Sequence, residues 1–219
     1  MSTHERDDYA GQYAIARQPR HIICVDLQRD FTAVGGACYH FRPCVHFIRE
    51  TLVPHCRKHG IQLAEIVSDY RQPRPGDPFA HCVPGNPGYE SELPADVKCP
   101  QVWVKCMHSP VWVRENGGLA AKSPGTPYPD PKGFTNWLAA VVGPPEENNT
   151  IVLIGLTLDC CVLCTAQELF FRGYRVAFLV EAVDTYNGSL EEKQSLIKGP
   201  LANWGRSVSW QEIKERTIP

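Results

Sequence analysis

Short β-branched runs alternate with stretches of helical period along the 219-residue sequence, and this alternation limits the fold more than any other feature. The runs are "HIICVD" (21–26), "QLAEIVS" (62–68), "QVWVK" (101–105), "TIVLIGL" (150–156), "RVAFLVE" (175–181) and "RSVSW" (206–210). Several are nearly continuous in apolar residues, as strands covered on both faces must be. Between the first two, Val45, Ile48, Leu52, Val53 and Cys56 recur at helical spacing, with His59-Gly60 as a stop. Asp159 can cap a helix whose apolar face is Val162, Leu163, Ala166, Leu169 and Phe170, and Gly173 ends it. A further helix runs from about Leu190 to Asn203, which Gly199-Pro200 must bend or break. The expected fold is α/β, a mainly parallel six-stranded sheet between two layers of helices, Rossmann-like in its alternation.

The length suits one domain, taken as 21–219 behind an extension at 1–20. A formal net charge of −2 gives no general attraction to nucleic acid or anionic membrane, so a small-molecule partner is expected. The first twenty residues lack an apolar h-region and no later stretch reaches the ~18–20 apolar residues of a membrane span, which points to the cytoplasm. Of ten cysteines, Cys24, Cys56 and Cys106 lie in apolar segments and read as small buried hydrophobes, so reduced thiols are expected rather than a disulfide framework.

Two Pro- and Gly-rich stretches, 70–100 and 115–133, interrupt the alternation. Both follow a strand's C-terminal end, where open α/β sheets place their sites. Three chemically capable residues close strands at that same edge. Asp26 ends the first strand, Lys105 ends the third, and Cys161 in "GLTLDCCVLCT" falls in the first turn of the helix after the fourth. Free N–H groups and the positive end of the helix dipole stabilise a thiolate there, lowering its pKa below ~8.5, and can bind a developing oxyanion. Taken singly, each residue has a bland reading: a turn former, a solvated lysine, a core cysteine. Convergence on one edge favours base, cation and nucleophile.

"VDLQRDF", a lysine closing the middle strand and "GLTLDCCVLCTAQELFFRGYRVAFLVEAV" resemble the isochorismatase-like cysteine hydrolases over roughly residues 20–212. The resemblance implies an isochorismatase-like fold, Cys161 as nucleophile, Asp26 as general base and Lys105 as its cation. It also implies a cis peptide before Thr157 and an oxyanion hole made by the N–H groups of Thr157 and Cys161. Leu158 departs from the pattern, replacing a threonine. Homo-oligomers, dimers or tetramers, are common in the family.

Within the family, "AHCVPGNPGYESEL" resembles the nicotinamidase and pyrazinamidase loop. This implies hydrolysis of a small carboxamide, nicotinamide first, with Phe31 and Trp112 lining the ring pocket and no cofactor required for the chemistry itself. It also implies a divalent, zinc-like metal on Asp69 and His81. Arg71 stands where a middle histidine is expected, and a guanidinium offers no lone pair, so a third ligand such as His55, His108 or Glu92 is needed. Arg71 can instead pair with Asp69 or hold a substrate carboxylate or carbonyl. The alternatives are a metal-independent relative acting on another amide, carbamoyl or ureido acid, with Arg71 or Arg114 holding a carboxylate, and a thiol redox or metal-binding protein built on Cys160, Cys161 and Cys164.

Overall fold

The computed structural model describes residues 21–74, 76–145 and 150–214. The extension at 1–20 lies outside them. Six strands form one sheet: β1 (His21–Val25), β2 (Leu63–Ser68), β3 (Lys98–Lys105), β4 (Thr150–Leu156), β5 (Arg175–Asp184) and β6 (Arg206–Val208). Their order is β3-β2-β1-β4-β5-β6, and every neighbouring pair is parallel. The chain moves outward from β1 to β3 and then returns to β1's other side as β4. A crevice therefore opens at the C-terminal ends of β1 and β4, the switch point of a doubly wound sheet.

Period-two alternation in the central strands feeds two cores. Ile22 and Cys24 of β1, with Val152, Ile154 and Leu156 of β4, pack on one face; Ile23, Val25, Ile151 and Leu153 pack on the other. The first face is covered by α1 (Pro43–Phe47), a wider π-helical turn (Ile48–Leu52) and α2 (Val53–His59), which Gly60 ends in the left-handed conformation. The second is covered by α3 (Pro131–Val141) and α4 (Cys161–Phe171). Every residue of β2 and β4 is buried, which is why these strands read as nearly continuous apolar runs in the sequence, whereas edge strand β3 is largely half-buried.

The anticipated long helix is α5 (Leu190–Lys198), capped by Ser189, followed by a separate 3-10 turn (Pro200–Asn203) and then β6 and α6 (Trp210–Lys214). Pro200 cannot donate to the helix, so the chain breaks there. Two expectations for α4 need correction. Cys160, not Asp159, is the N-cap and makes no side-chain cap; the Asp159 carboxylate instead accepts from the Tyr186 N–H at 3.0 Å, tying α4 to the loop after β5. Phe170 is 48% exposed rather than part of the buried face, whose place is taken by Cys161, Val162, Thr165, Ala166 and Leu169.

Gly155 is required by close approach. A Cβ there would stand 2.1 Å from the Val25 carbonyl of the paired strand, and its φ of 102° disfavours any side chain. β4 can therefore lie tight against β1 just before both strands deliver their site residues.

Candidate active site

At the end of β1 the backbone turns into the left-handed region at Asp26 (φ 49°), its N–H held by the Ile66 carbonyl of β2 at 2.9 Å. The Asp26 side chain is fully buried. One carboxylate oxygen accepts from the Ser68 hydroxyl at 2.8 Å, and the other lies 2.8 Å from Lys105 Nζ. Ser68 and Lys105 are register partners at the ends of β2 and β3, so pairing of those strands alone sets that neighbourhood. Gln28 fixes Ser68 from behind. Its amide accepts from the Ser68 N–H at 2.7 Å and donates to the Ser68 carbonyl at 3.0 Å.

Lys105 Nζ has three protons and five near neighbours: Asp26, the Ser68 hydroxyl at 2.8 Å, the Tyr70 hydroxyl at 2.6 Å, the Met107 carbonyl at 3.1 Å and Cys161 Sγ at 3.3 Å. Burial opposes its charge, but the Asp26 carboxylate 2.8 Å away outweighs that and holds its pKa well above the ordinary lysine value. It is an ammonium across the physiological range. Cys161 Sγ thus faces Lys105, the Tyr70 hydroxyl at 3.4 Å and His108 Nδ1 at 3.4 Å. Asp26, Lys105 and Cys161 come together as expected from their places on three strand ends.

The thiol itself behaves otherwise than its helix position suggested. Burial pushes the Cys161 pKa up, Lys105 lowers it, Asp26 raises it and the Tyr70 hydrogen bond lowers it, with a net rise. A helix N-terminus favours a thiolate most where solvent or a counter-charge is free to respond. Here Cys161 as a whole is 4% exposed and the nearby ammonium already serves Asp26. The resting group is therefore a thiol.

The peptide between Leu156 and Thr157 is cis. The Thr157 carbonyl accepts from the N–H groups of Cys160 at 3.1 Å and Val162 at 3.0 Å. Among the described residues neither the Thr157 nor the Cys161 N–H donates to a backbone carbonyl.

Tyr70 was not recognisable as a site residue from the sequence. The signal available was period two: Ser68 and Tyr70 continue one side of β2, while Asp69 and Arg71 take the other. Tyr70 is 1% exposed, and burial raises its pKa well above the usual phenol value, so it stays protonated. Its hydroxyl donates to the Met107 carbonyl at 3.0 Å while accepting from Lys105. His108 appeared in the sequence only as a spare metal ligand. Burial first, then the charges on Lys105 and Arg74, lower its pKa, keeping the imidazole neutral beside the sulfur.

The residues expected to hold a metal are occupied otherwise. Asp69 is buried and grips Arg71, with Nε at 2.8 and Nη2 at 2.5 Å, and also accepts from the Gly118 N–H at 2.9 Å. The remaining Arg71 donors reach the carbonyls of Leu119 at 3.1 Å and Lys122 at 2.9 Å. His81 is surrounded by Phe31, Tyr70 and Phe79, with Nε2 3.4 Å from Asp77. Burial lowers its pKa. His55 lies tilted against His59 and edge-on to Trp210, and Glu92 pairs with Arg49 and Thr32, so neither completes a set with Asp69. Among the described residues no group of three His, Cys, Asp or Glu side chains is placed to hold a metal ion. This donor set does not fit a zinc-like ion, because a guanidinium fills the space and saturates the carboxylate.

Phe31 is buried edge-on to His81, whereas Trp112 stands 36% exposed on a two-residue strand paired with Tyr128–Pro129. Arg114 bonds Gln72 and Gly125 in the second loop. All ten cysteines are free, and no helix among the described residues is long and apolar enough to cross a membrane.

The switch point of the parallel sheet thus gathers an aspartate, a lysine and a helix-tip cysteine. The fold is isochorismatase-like, and residues 133–198 match the family model described as the isochorismatase domain. The chain resembles a nicotinamidase/pyrazinamidase from Bacillus subtilis at 20% identity and a TM-score of 0.57, covering 86% of this chain and 98% of that one. A pyrazinamidase of Pyrococcus horikoshii in complex with zinc aligns at 18% identity and 0.59, covering 88% and 100%. An isochorismatase family protein from Desulfovibrio vulgaris gives 18%, 0.59, 88% and 94%. No curated protein sequence matches significantly.

Proposed function

We propose that the protein is a cysteine-dependent amidohydrolase that cleaves the C–N bond of a small carboxamide through a thioester. The observation that carries this reading is the single ammonium of Lys105 within reach of both the Asp26 carboxylate and the Cys161 sulfur, at 2.8 and 3.3 Å. Asp26 takes the thiol proton as sulfur attacks the carbonyl carbon, and Lys105 holds the two anionic centres together during the transfer. The carbonyl oxygen, now negative, takes the N–H groups of Thr157 and Cys161, each such donor contributing roughly 3 kcal/mol in the transition state. Collapse breaks the C–N bond, the nitrogen leaves with the proton from Asp26, and an acyl thioester remains. Water then gives a proton to Asp26, attacks the thioester and releases the acid, returning the thiol.

A raised thiol pKa suits this sequence. A thiolate standing permanently beside a carboxylate would be repelled by it; a neutral thiol gives up its proton only as the C–S bond forms. Nicotinamide is the substrate suggested by the resemblance and by the names of the Bacillus and Pyrococcus proteins. The Asp69–Arg71 pair favours instead a small amide read without a metal.

Ammonia release should be measured from nicotinamide, from aliphatic amides and from carbamoyl and ureido acids. Cys161→Ala should abolish all turnover and Cys164→Ala should leave it within about twofold, since a second thiol has no part in acyl transfer. Equal dependence on both cysteines would support a redox pair instead. Turnover of nicotinamide alone would restore the nicotinamidase assignment.

A further inference from the structure

Arg74 lies in the first loop, with its backbone locked by a reciprocal pair of hydrogen bonds to Asp77 at 3.0 and 2.9 Å. Its guanidinium carbon rests 3.2 Å above the centre of the Tyr70 ring, the ring whose hydroxyl touches both Lys105 and Cys161. The side chain is only 6% exposed, and one terminal nitrogen pairs with Asp77 at 2.5 Å. Its Nε is buried with no hydrogen-bond partner. Leaving a buried guanidinium N–H empty costs free energy, and side chains so placed normally find an acceptor. Asp77 is in turn shared with His81 at 3.4 Å, so the carboxylate does not belong to Arg74 alone.

The other loop arginines differ. Arg71 has spent its donors on Asp69 and loop carbonyls. Arg114 also keeps a bare Nε, but its partners Gln72 and Gly125 connect it to neither Tyr70 nor Cys161. Only Arg74 is stacked on the catalytic cluster while retaining an unused donor. Stacking fixes the guanidinium plane, so an acceptor arriving at its edge pays little ordering entropy.

We infer that Arg74 is the reader of a carboxylate on the substrate, so that the preferred amide is an anion carrying its carboxylate one tyrosine ring away from the scissile carbonyl. Tyr70 spaces the two ends: its face carries the arginine and its hydroxyl touches the sulfur. This deepens the amidohydrolase reading but is tested separately from it, by equilibrium binding.

Succinamate, glutaramate and adipamate would be titrated calorimetrically against Cys161→Ser protein beside their neutral diamides, which share each skeleton but lack the charge. At least one anion should bind roughly tenfold to a hundredfold tighter than its diamide, the range for a charge-assisted hydrogen bond to a partly desolvated group. Arg74→Gln should erase that preference, bringing each anion to within about twofold of its diamide, and Arg74→Lys should keep part of it. Asp77→Asn removes a competing carboxylate and should tighten anion binding several-fold, whereas an arginine that merely staples the loop would leave it the same or weaker. Equal binding of anion and diamide across the series, or a preference that survives Arg74→Gln, overturns the inference. Selective binding without ammonia release by the Cys161-containing protein leaves it standing and rejects the hydrolase reading instead.

Discussion

Lys105→Met tests the central ion pair most directly, because methionine keeps most of the side chain's volume and removes only the charge. Lys105 and Asp26 have side chains 0% and 1% exposed, so no solvent screening softens the loss. Deleting one member of a buried pair typically costs about 3–5 kcal/mol, since the other charge is left without compensation. With a urea m-value of about 2 kcal/mol per molar, the unfolding midpoint should fall by roughly 2 M at pH 7. The sign with pH follows from the chemistry. With its pKa raised on folding, the Lys105 ammonium contributes its full stabilisation at every pH below the ordinary lysine value and loses it only as pH rises through the folded value, so the gap to wild type should be the same at pH 5 and pH 7. Replacing Asp26 as well, in Asp26→Asn/Lys105→Met, removes both charges and should recover most of the stability. Urea melts of the four proteins of this cycle at pH 5 and 7 give the coupling energy. Additive losses would refute the idea that the two residues act as one buried ionic unit.

Three further outcomes follow from the site. His108→Ala should lower turnover no more than about tenfold if Asp26 carries the protons; a loss of three orders of magnitude would transfer that role to the imidazole 3.4 Å from the sulfur. Because burial raises the Cys161 pKa, its alkylation by iodoacetamide, followed on the peptide by mass spectrometry, should be slow at pH 7 and still climbing at pH 10, and a plateau below pH 8 would contradict the resting thiol. Dialysis against EDTA should leave ammonia release unchanged, since Arg71 and the Gly118 N–H already engage Asp69; a loss reversed by zinc would show that this ion pair opens to admit a metal.

The sheet and the convergence of Asp26, Lys105 and Cys161 were legible in the sequence because they depend on local order. A strand-closing residue in a parallel sheet must come out at the C-terminal edge, and β4 runs over 150–156 as its apolar run indicates. What lies between those residues was not legible. Tyr70 reaches the sulfur only because β2 continues its alternation past Ser68, and Arg74 reaches Tyr70 only because the loop folds back on itself through Asp77. Charge state also escaped the sequence: the helix tip predicted a lowered thiol pKa, and burial reversed it. Residue order thus determined which groups meet at the edge, since strand direction is a property of the chain. Only the tertiary structure decided which were paired, buried or left with a free donor, because solvation and ion pairing depend on segments far apart in sequence, and on that rests the choice between a metal and a guanidinium at Asp69.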